Sequence, residues 1–122
     1  MPSVITNVLG NLMLARYIKN SPCWLGLFKG NPGVLGSQVD EVTGGDYIRQ
    51  RLIATTPGSK SLANSAAMTF DNLPACEVSF LGLANAQYSG NLYVVSAELT
   101  PHLFIPDSGR LVIAAGEFAI VF

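Results

Sequence analysis

The chain of 122 residues is 49% hydrophobic and only 12% charged, with seven basic side chains, eight acidic ones and a formal net charge of −1. In soluble domains about a quarter of all residues are usually charged. Because this chain has far fewer, we expect other protein chains to cover much of its surface. The sequence has no basic stripe that would bind nucleic acid and no apolar run long enough to span a bilayer.

Residues 1–21 are predicted to form an N-terminal helix, because their apolar residues recur at steps of three and four. Ser3 is a suitable N-cap, and Pro22 sets the latest point at which the helix ends. The main apolar stripe consists of Val4, Ile5, Val8, Leu9, Leu12, Ala15 and Ile18. Leu14 and Tyr17 lie off this stripe and are predicted to contact a neighbouring chain.

The remainder of the chain alternates with a period of two and places turn residues every eight to twelve positions. This pattern predicts a mainly β fold: a β-sandwich or small barrel of seven or eight short antiparallel strands with one N-terminal α-helix. One domain, residues 1–122, is expected, with the helix in 1–21 and the sandwich in 23–122. The predicted strands are residues 24–28, 47–54, 67–70, 77–84, 91–99, 103–105, 110–114 and 117–122.

Catalytic and metal-binding patterns are weak. His102 has Asp107 nearby as an orienting group but no nucleophile motif, so an active site centred on it is disfavoured. Segment 40–46 holds three acidic residues, and a solvated turn is favoured over a calcium loop. Cys23 and Cys76 are more typical of small buried hydrophobes than of a disulfide. We therefore expect no enzymatic activity, no cofactor, no metal and no small-molecule substrate.

Four further residues are predicted to contact a partner. Arg49 and Arg51 share one face of the segment 47–54, where they either pair with a partner's carboxylates or form a solvated face. The turn around Asn31 and Pro32 is the other candidate contact. Neither prediction shows which face meets which chain.

Five segments, in order, resemble a family of small bacteriophage virion proteins that are often labelled tail-fibre-like or assigned to capsid decoration. They are residues 25–33 (LGLFKGNPG), 41–50 (EVTGGDYIRQ), 64–70 (NSAAMTF), 90–93 (GNLY) and 107–116 (DSGRLVIAAG). One departure is that the family's Trp-Gly pair is absent before the strand beginning near Ala75. The resemblance covers nearly the whole chain and implies no catalytic group.

The resemblance implies a virion component assembled in the host cytoplasm. A compact chain without repeats or heptads favours a capsid decoration (cement) protein. Such a protein would bind the major capsid protein lattice as a homotrimer and stabilise it by burying apolar surface. The alternative is a tail or head fibre or adaptor component involved in attachment. No nucleic-acid or membrane partner is expected.

Overall fold

The computed structural model describes residues 5–121 and confirms a mainly β chain with one N-terminal helix. Helix α1 (Asn7–Leu14) continues into a π-helical turn, Ala15–Lys19. The strands are β1 (Trp24–Phe28), β2 (Gln50–Arg51), β3 (Ser61–Ala63), β4 (Met68–Leu73), β5 (Cys76–Val78), β6 (Phe80–Ala84), β7 (Leu92–Val95), β8 (Leu103–Ile105), β9 (Gly109–Ile113) and β10 (Ala119–Val121). Neither described helical segment has the length and apolar character needed to cross a membrane.

The ten strands form four antiparallel sheets, and none of those described closes into a barrel. The largest has four strands in the order β2-β1-β6-β7, and the pairs β3–β10, β4–β9 and β5–β8 make the others. Leu25 and Leu27 of β1 lie opposite Leu83 and Leu81 of β6 and are buried in the apolar core. The small sheets contribute core residues such as Phe70, so all four sheets share one apolar core with the helical segment.

The prediction of one continuous strand over residues 77–84 is wrong, because Ser79 divides it. The Ser79 amide donates to the carbonyl of Phe28, its hydroxyl donates to the carbonyl of Lys29, and its own carbonyl accepts from Leu99. These bonds let the chain leave β5 and enter β6 in a different sheet with its buried polar groups satisfied. Alternation of side chains cannot reveal such a change of sheet.

Other boundaries also differ from the sequence prediction. Within the segment 47–54 only Gln50–Arg51 forms a strand, and within 91–99 only Leu92–Val95 does. Residues 61–63, predicted as loop, pair with β10 instead. The predicted end of the last strand at Phe122, and the proposed N-cap Ser3, lie outside the described residues.

The buried face of the helical segment is centred on Gly10 and Leu14, which lie off the predicted stripe, and it includes Ile18 from the end of that stripe. Leu14 and Ile18 are 1% and 6% exposed in the core, while Val8 and Leu12 are 72% and 61% exposed. Gly10 makes this possible, because a Cβ there would lie 2.5 Å from the Lys60 side chain. The glycine allows close approach to the loop before β3, and this contact selects which apolar face turns inward.

Buried Asn64 joins three parts of the fold. Its Nδ2 donates to the carbonyls of Ala66 and Ala114, and its Oδ1 accepts from the amides of Gly116 and Phe118. All four hydrogen-bonding positions of the amide are used, as a 1% exposed polar side chain requires. This bonding explains why an asparagine opens the NSAAMTF segment.

Candidate assembly surface

The connection between β1 and β2 lies on the second face of the four-stranded sheet, over two glycines. Gly26 and Gly82 lie opposite each other in neighbouring strands. A Cβ on Gly26 would come within 2.8 Å of Glu41 Oε2 and 2.9 Å of the Tyr47 hydroxyl. The absence of a side chain at Gly26 therefore leaves the space that a polar network occupies, while Gly82 makes room for the ring of Phe28.

Arg49 is the centre of that network, and its side chain is only 2% exposed. Its Nε and Nη2 donate to the two carboxylate oxygens of Glu41 at 2.8 and 2.9 Å. Nη1 donates to the carbonyls of Ala86 and Ser89, and Nη2 also donates to Gln38 Oε1. All five guanidinium donors are thus used, which is the condition under which a buried arginine is tolerated.

Tyr47 completes the network. Its hydroxyl donates to Glu41 Oε2 and accepts from the amide of Leu27, while its ring stacks 6.2 Å from that of Phe70. Burial and then the bond to Glu41 raise the pKa of the Tyr47 hydroxyl, and the bond to Glu41 raises the pKa of Arg49. Tyr47 therefore stays neutral and Arg49 stays charged, and the cluster fastens the connection to the sheet.

The same connection carries a projecting segment, residues 32–39, which we call the apolar turn. Val34, Leu35 and Val39 are 105%, 94% and 87% exposed, the highest values among the large hydrophobic side chains of the described chain. Apolar groups so exposed are unfavourable in water and are typical of contact surfaces when they cluster.

The apolar turn is nevertheless held firmly. The amide of Gly33 donates to Asn31 Oδ1 at 2.8 Å, and the amide of Ser37 donates to the carbonyl of Pro32 at 2.9 Å. Gly33 and Gly36 have φ values of +68° and +65°, which only glycine adopts at little cost. The Gln38 side chain, bound to Arg49, also donates to the carbonyl of Gly90, so the network anchors the base of the turn.

The N-terminal segment presents a second apolar surface, the helix stripe, formed by Ile5 just before helix α1 and by Val8, Leu9 and Leu12 of the helix. These residues follow the i, i+3, i+4, i+7 spacing of one helical face. The stripe contains no charged side chain, and the helix has no acidic residue in its first turn. It therefore forms an unpaired apolar face on the described chain.

A third feature is an apolar cavity of about 310 Å³, the helix groove, between the helix and strands β7 and β10. Leu14, Ile18 and Ile120 are its buried residues, while Tyr17 and Tyr93 are about half exposed. The groove is lined by Met13, Leu14, Tyr17, Ile18, Tyr93, Val94 and Ile120.

His102 lies in a polar cluster with two carboxylates. Its Nε2 pairs with Glu98 at 2.8 Å and its Nδ1 pairs with Glu77, so both ring nitrogens are held by carboxylates. These bonds, that to Glu98 first, raise the pKa of His102. A doubly paired imidazole is well suited to joining β5 to the segment before β8 and poorly suited to act as a base.

The six predicted contact residues fall into two groups. Tyr17, Asn31 and Arg51 are exposed, and the guanidinium of Arg51 lies over the Trp24 ring at 5.6 Å from its centre. Leu14, Pro32 and Arg49 are buried within the chain and support the fold, and their predicted contact with a partner stays a prediction. For the described chain, the prediction that Arg49 lies on an open strand face is wrong, because the guanidinium is used internally. The assignment of the exposed residues to an interface stays a prediction.

The sequence analysis missed the role of Glu41, which it treated as a solvated turn acid, and the exposure of Val34, Leu35 and Val39. One signal was available. Buried pairs need opposite charges close together, and the EVTGGDYIRQ segment places Glu41, Tyr47 and Arg49 within nine residues in a chain with few charges. Both cysteines are free, Cys23 buried and Cys76 half-buried. Within residues 5–121, no group of three or more acidic, histidine or cysteine side chains is arranged to hold a metal.

Comparison with known families gives one match. The model of the family described as Podophage GP4 fiber I protein gp80 matches residues 3–121. A search of curated proteins found no match.

Proposed function

The chain belongs to the podophage GP4 fiber I protein gp80 family, a family of phage virion structural proteins, and from this premise we propose that it is a structural subunit of a phage fibre. The resemblance noted from the sequence, to small phage virion proteins, is confirmed at this level. Its location in the virion follows from the family, while assembly in the host cytoplasm stays a prediction.

The observation that carries the proposal is the apolar turn. Three fully or nearly fully exposed aliphatic side chains, Val34, Leu35 and Val39, project from a loop that a buried ion pair fastens to the sheet. Burying three such side chains against other chains contributes about 4 to 9 kcal/mol before ordering costs. A fibre subunit needs contacts of this kind, because a fibre on a virion is held in place by contacts between protein chains.

A structural role also fits the chemistry of the polar clusters. Glu41, Tyr47 and Arg49 satisfy one another, and His102 is paired with two carboxylates. Membership of a fibre family suggests a protein that is not an enzyme. We propose that these clusters serve the fold and the positioning of contact surfaces.

The family description favours the fibre alternative over capsid decoration. Binding to the major capsid protein lattice stays a prediction that the family match leaves unconfirmed. We further propose that the chain associates with copies of itself, and we expect a homotrimer. A closed symmetric assembly buries apolar surface without leaving an unpaired contact surface at either end.

The experiment is to locate the chain on purified virions by electron cryo-microscopy, with a tagged copy as marker. A fibre subunit gives density in the fibres, and virions lacking the protein lose fibres while their capsids keep their resistance to heat. Density confined to the capsid faces, with capsids that become fragile when the protein is removed, would contradict the proposal.

A further inference from the structure

We propose that the apolar turn of one copy inserts into the helix groove of a second copy of this chain, so that subunits associate through this contact. This proposal rests on one element of the proposed function, which is that the chain associates with copies of itself. It names the two surfaces that meet, which the family match does not assign.

The first argument is the fit between the two surfaces. The groove is about 310 Å³ and is lined mainly by apolar side chains such as Met13 and Val94. The side chains of Val34 and Leu35 together contain seven carbon atoms. At roughly 10 to 15 Å³ of cavity volume for each water-sized group, they need about 70 to 105 Å³, which leaves room for part of the turn's backbone.

The second argument is that the turn is already ordered. Its hydrogen bonds, and the link from Gln38 to Arg49, hold the side chains of Val34 and Leu35 outward before any partner binds. A segment that is already ordered loses little conformational entropy when it enters a cavity. The groove is likewise built on packed elements, since buried Leu14 and Ile18 form part of it.

The third argument is the area. Three nearly fully exposed aliphatic side chains offer about 300 Å² of apolar surface, and the walls of the groove offer less, so one contact buries well under about 600 Å². Stable interfaces bury at least about 1,200 Å² in total, more than twice that amount. A single insertion is therefore too small to persist, and stability requires a closed assembly in which every copy both gives its turn and receives one.

The helix stripe is the competing surface for self-association. A matched pair of valine substitutions, one in the apolar turn and one in the helix stripe, shows which surface the subunits use. Val34→Ser and Val8→Ser make the same change at residues that are 105% and 72% exposed. We expect Val34→Ser to weaken the oligomer at least tenfold in sedimentation equilibrium and Val8→Ser to leave it within twofold of the parent. A loss caused by Val8→Ser alone would overturn the proposal in favour of the stripe.

The groove is tested with a matched tyrosine pair. Tyr17→Glu places a charge in the groove lining, and Tyr88→Glu places it on the hairpin between β6 and β7, at a side chain that is 71% exposed. The first variant should dissociate the oligomer and the second should not. Equal behaviour of the two variants would contradict a contact in the groove.

Direct proof of the contact comes from cross-linking two different variants. One copy carries Leu35→Cys and a second, larger tagged copy carries Met13→Cys, both with Cys76→Ser so that buried Cys23 is the remaining native thiol. After mixing and mild oxidation, we expect a reducible band that joins the two sizes. The control replaces Met13→Cys with Phe104→Cys on β8, which should give no such band.

Failure of the cross-link in a protein that is oligomeric, or a protein that is monomeric at all concentrations tested, would overturn the inference. Neither result bears on the location of the chain in the virion, which the microscopy of the fibres tests separately. A chain found in fibres but not cross-linked would leave the fibre role intact and remove the turn-in-groove contact alone.

Discussion

Two parts of one connection, between β1 and β2, contrast sharply. The part around Glu41, Tyr47 and Arg49 is polar and buried, and each of its strong donors has a partner. The apolar turn, a few residues earlier, is exposed and its three large aliphatic side chains contact water. The polar part has its hydrogen bonds satisfied within the chain, whereas the apolar turn has exposed side chains. We infer that the first part fastens the connection to the sheet and that the second contacts other chains.

The contrast shows why a chain with so few charges contains a buried ion pair. A loop that displays aliphatic side chains in water would gain by collapsing onto its own sheet. The five hydrogen bonds of Arg49 join Gln38, at the base of the turn, to Glu41 and to the hairpin connection 85–91, and so resist this collapse. The Arg49 network contributes to stability and the apolar turn to association. Substitutions in the two parts should therefore affect different properties.

The largest effect is expected from Arg49→Ala. Removing the guanidinium leaves the carboxylate of Glu41 partly buried without its counter-charge and the carbonyls of Ala86 and Ser89 without donors. The free energy of unfolding should fall by about 3 to 5 kcal/mol in urea denaturation. The control is Arg51→Ala, an exposed arginine over Trp24, which should cost no more than about 1 kcal/mol. Equal losses would show that the buried network does not fasten the connection.

A smaller effect is expected from Gly26→Ala. The new methyl group would lie 2.8 Å from Glu41 Oε2 and 2.9 Å from the Tyr47 hydroxyl, so the network must move away from the sheet. We expect a loss of about 1 to 3 kcal/mol in the same assay, typical of overpacking. Gly58→Ala is the matched control, since its Cβ would meet nothing within 4 Å. A neutral Gly26→Ala would mean that the space over the glycine is not needed.

The His102 cluster provides a third region for comparison, because it is polar but largely exposed. Its folded pKa is raised above the ordinary 6.5 by the bonds to Glu98 and Glu77. The stabilisation is therefore fully present below about pH 6.5 and is lost as the pH rises through the raised folded value. The melting temperature should decline slightly over that interval. His102→Gln should remove this part of the decline, and an unchanged slope would contradict the pairing.

The smallest effect on folding is expected where the effect on assembly is greatest. Val34→Ser and Leu35→Ser should change the free energy of unfolding by no more than about 0.5 kcal/mol, because these side chains contact little in the folded chain. Denaturation should be measured at a concentration where the parent protein is monomeric. A loss above about 1.5 kcal/mol would show that the turn belongs to the core and not to a contact surface.

The sequence predicted the class of the fold because alternation and turn spacing are local properties. The shortage of charged residues also predicted that other protein chains cover much of the surface, and that prediction stays a proposal. The helix shows the limit of such reasoning, since both of its faces are apolar. Only the contact of Gly10 with Lys60 and the burial of Leu14 decide which face turns inward, and these contacts join residues about 50 positions apart.

The prediction for Arg49 was wrong for a related reason. Alternation placed it with Arg51 on one polar face, but the strand contains only Gln50–Arg51, and Arg49 precedes it. Its partners Ala86 and Ser89 are nearly 40 residues away and offer backbone carbonyls, which leave no trace in the sequence. The wrong strand boundaries and the missed network thus have one cause: long-range hydrogen bonding overrode a local pattern.

The most direct measurement is a map of the intact virion at a resolution that shows side chains. The proposed separation of fastening and contact predicts fibre density in which residues 32–39 are covered by another protein chain while the Arg49 network remains internal. Fibre density with Val34 and Leu35 facing solvent, or density for this chain on the capsid faces alone, would contradict it.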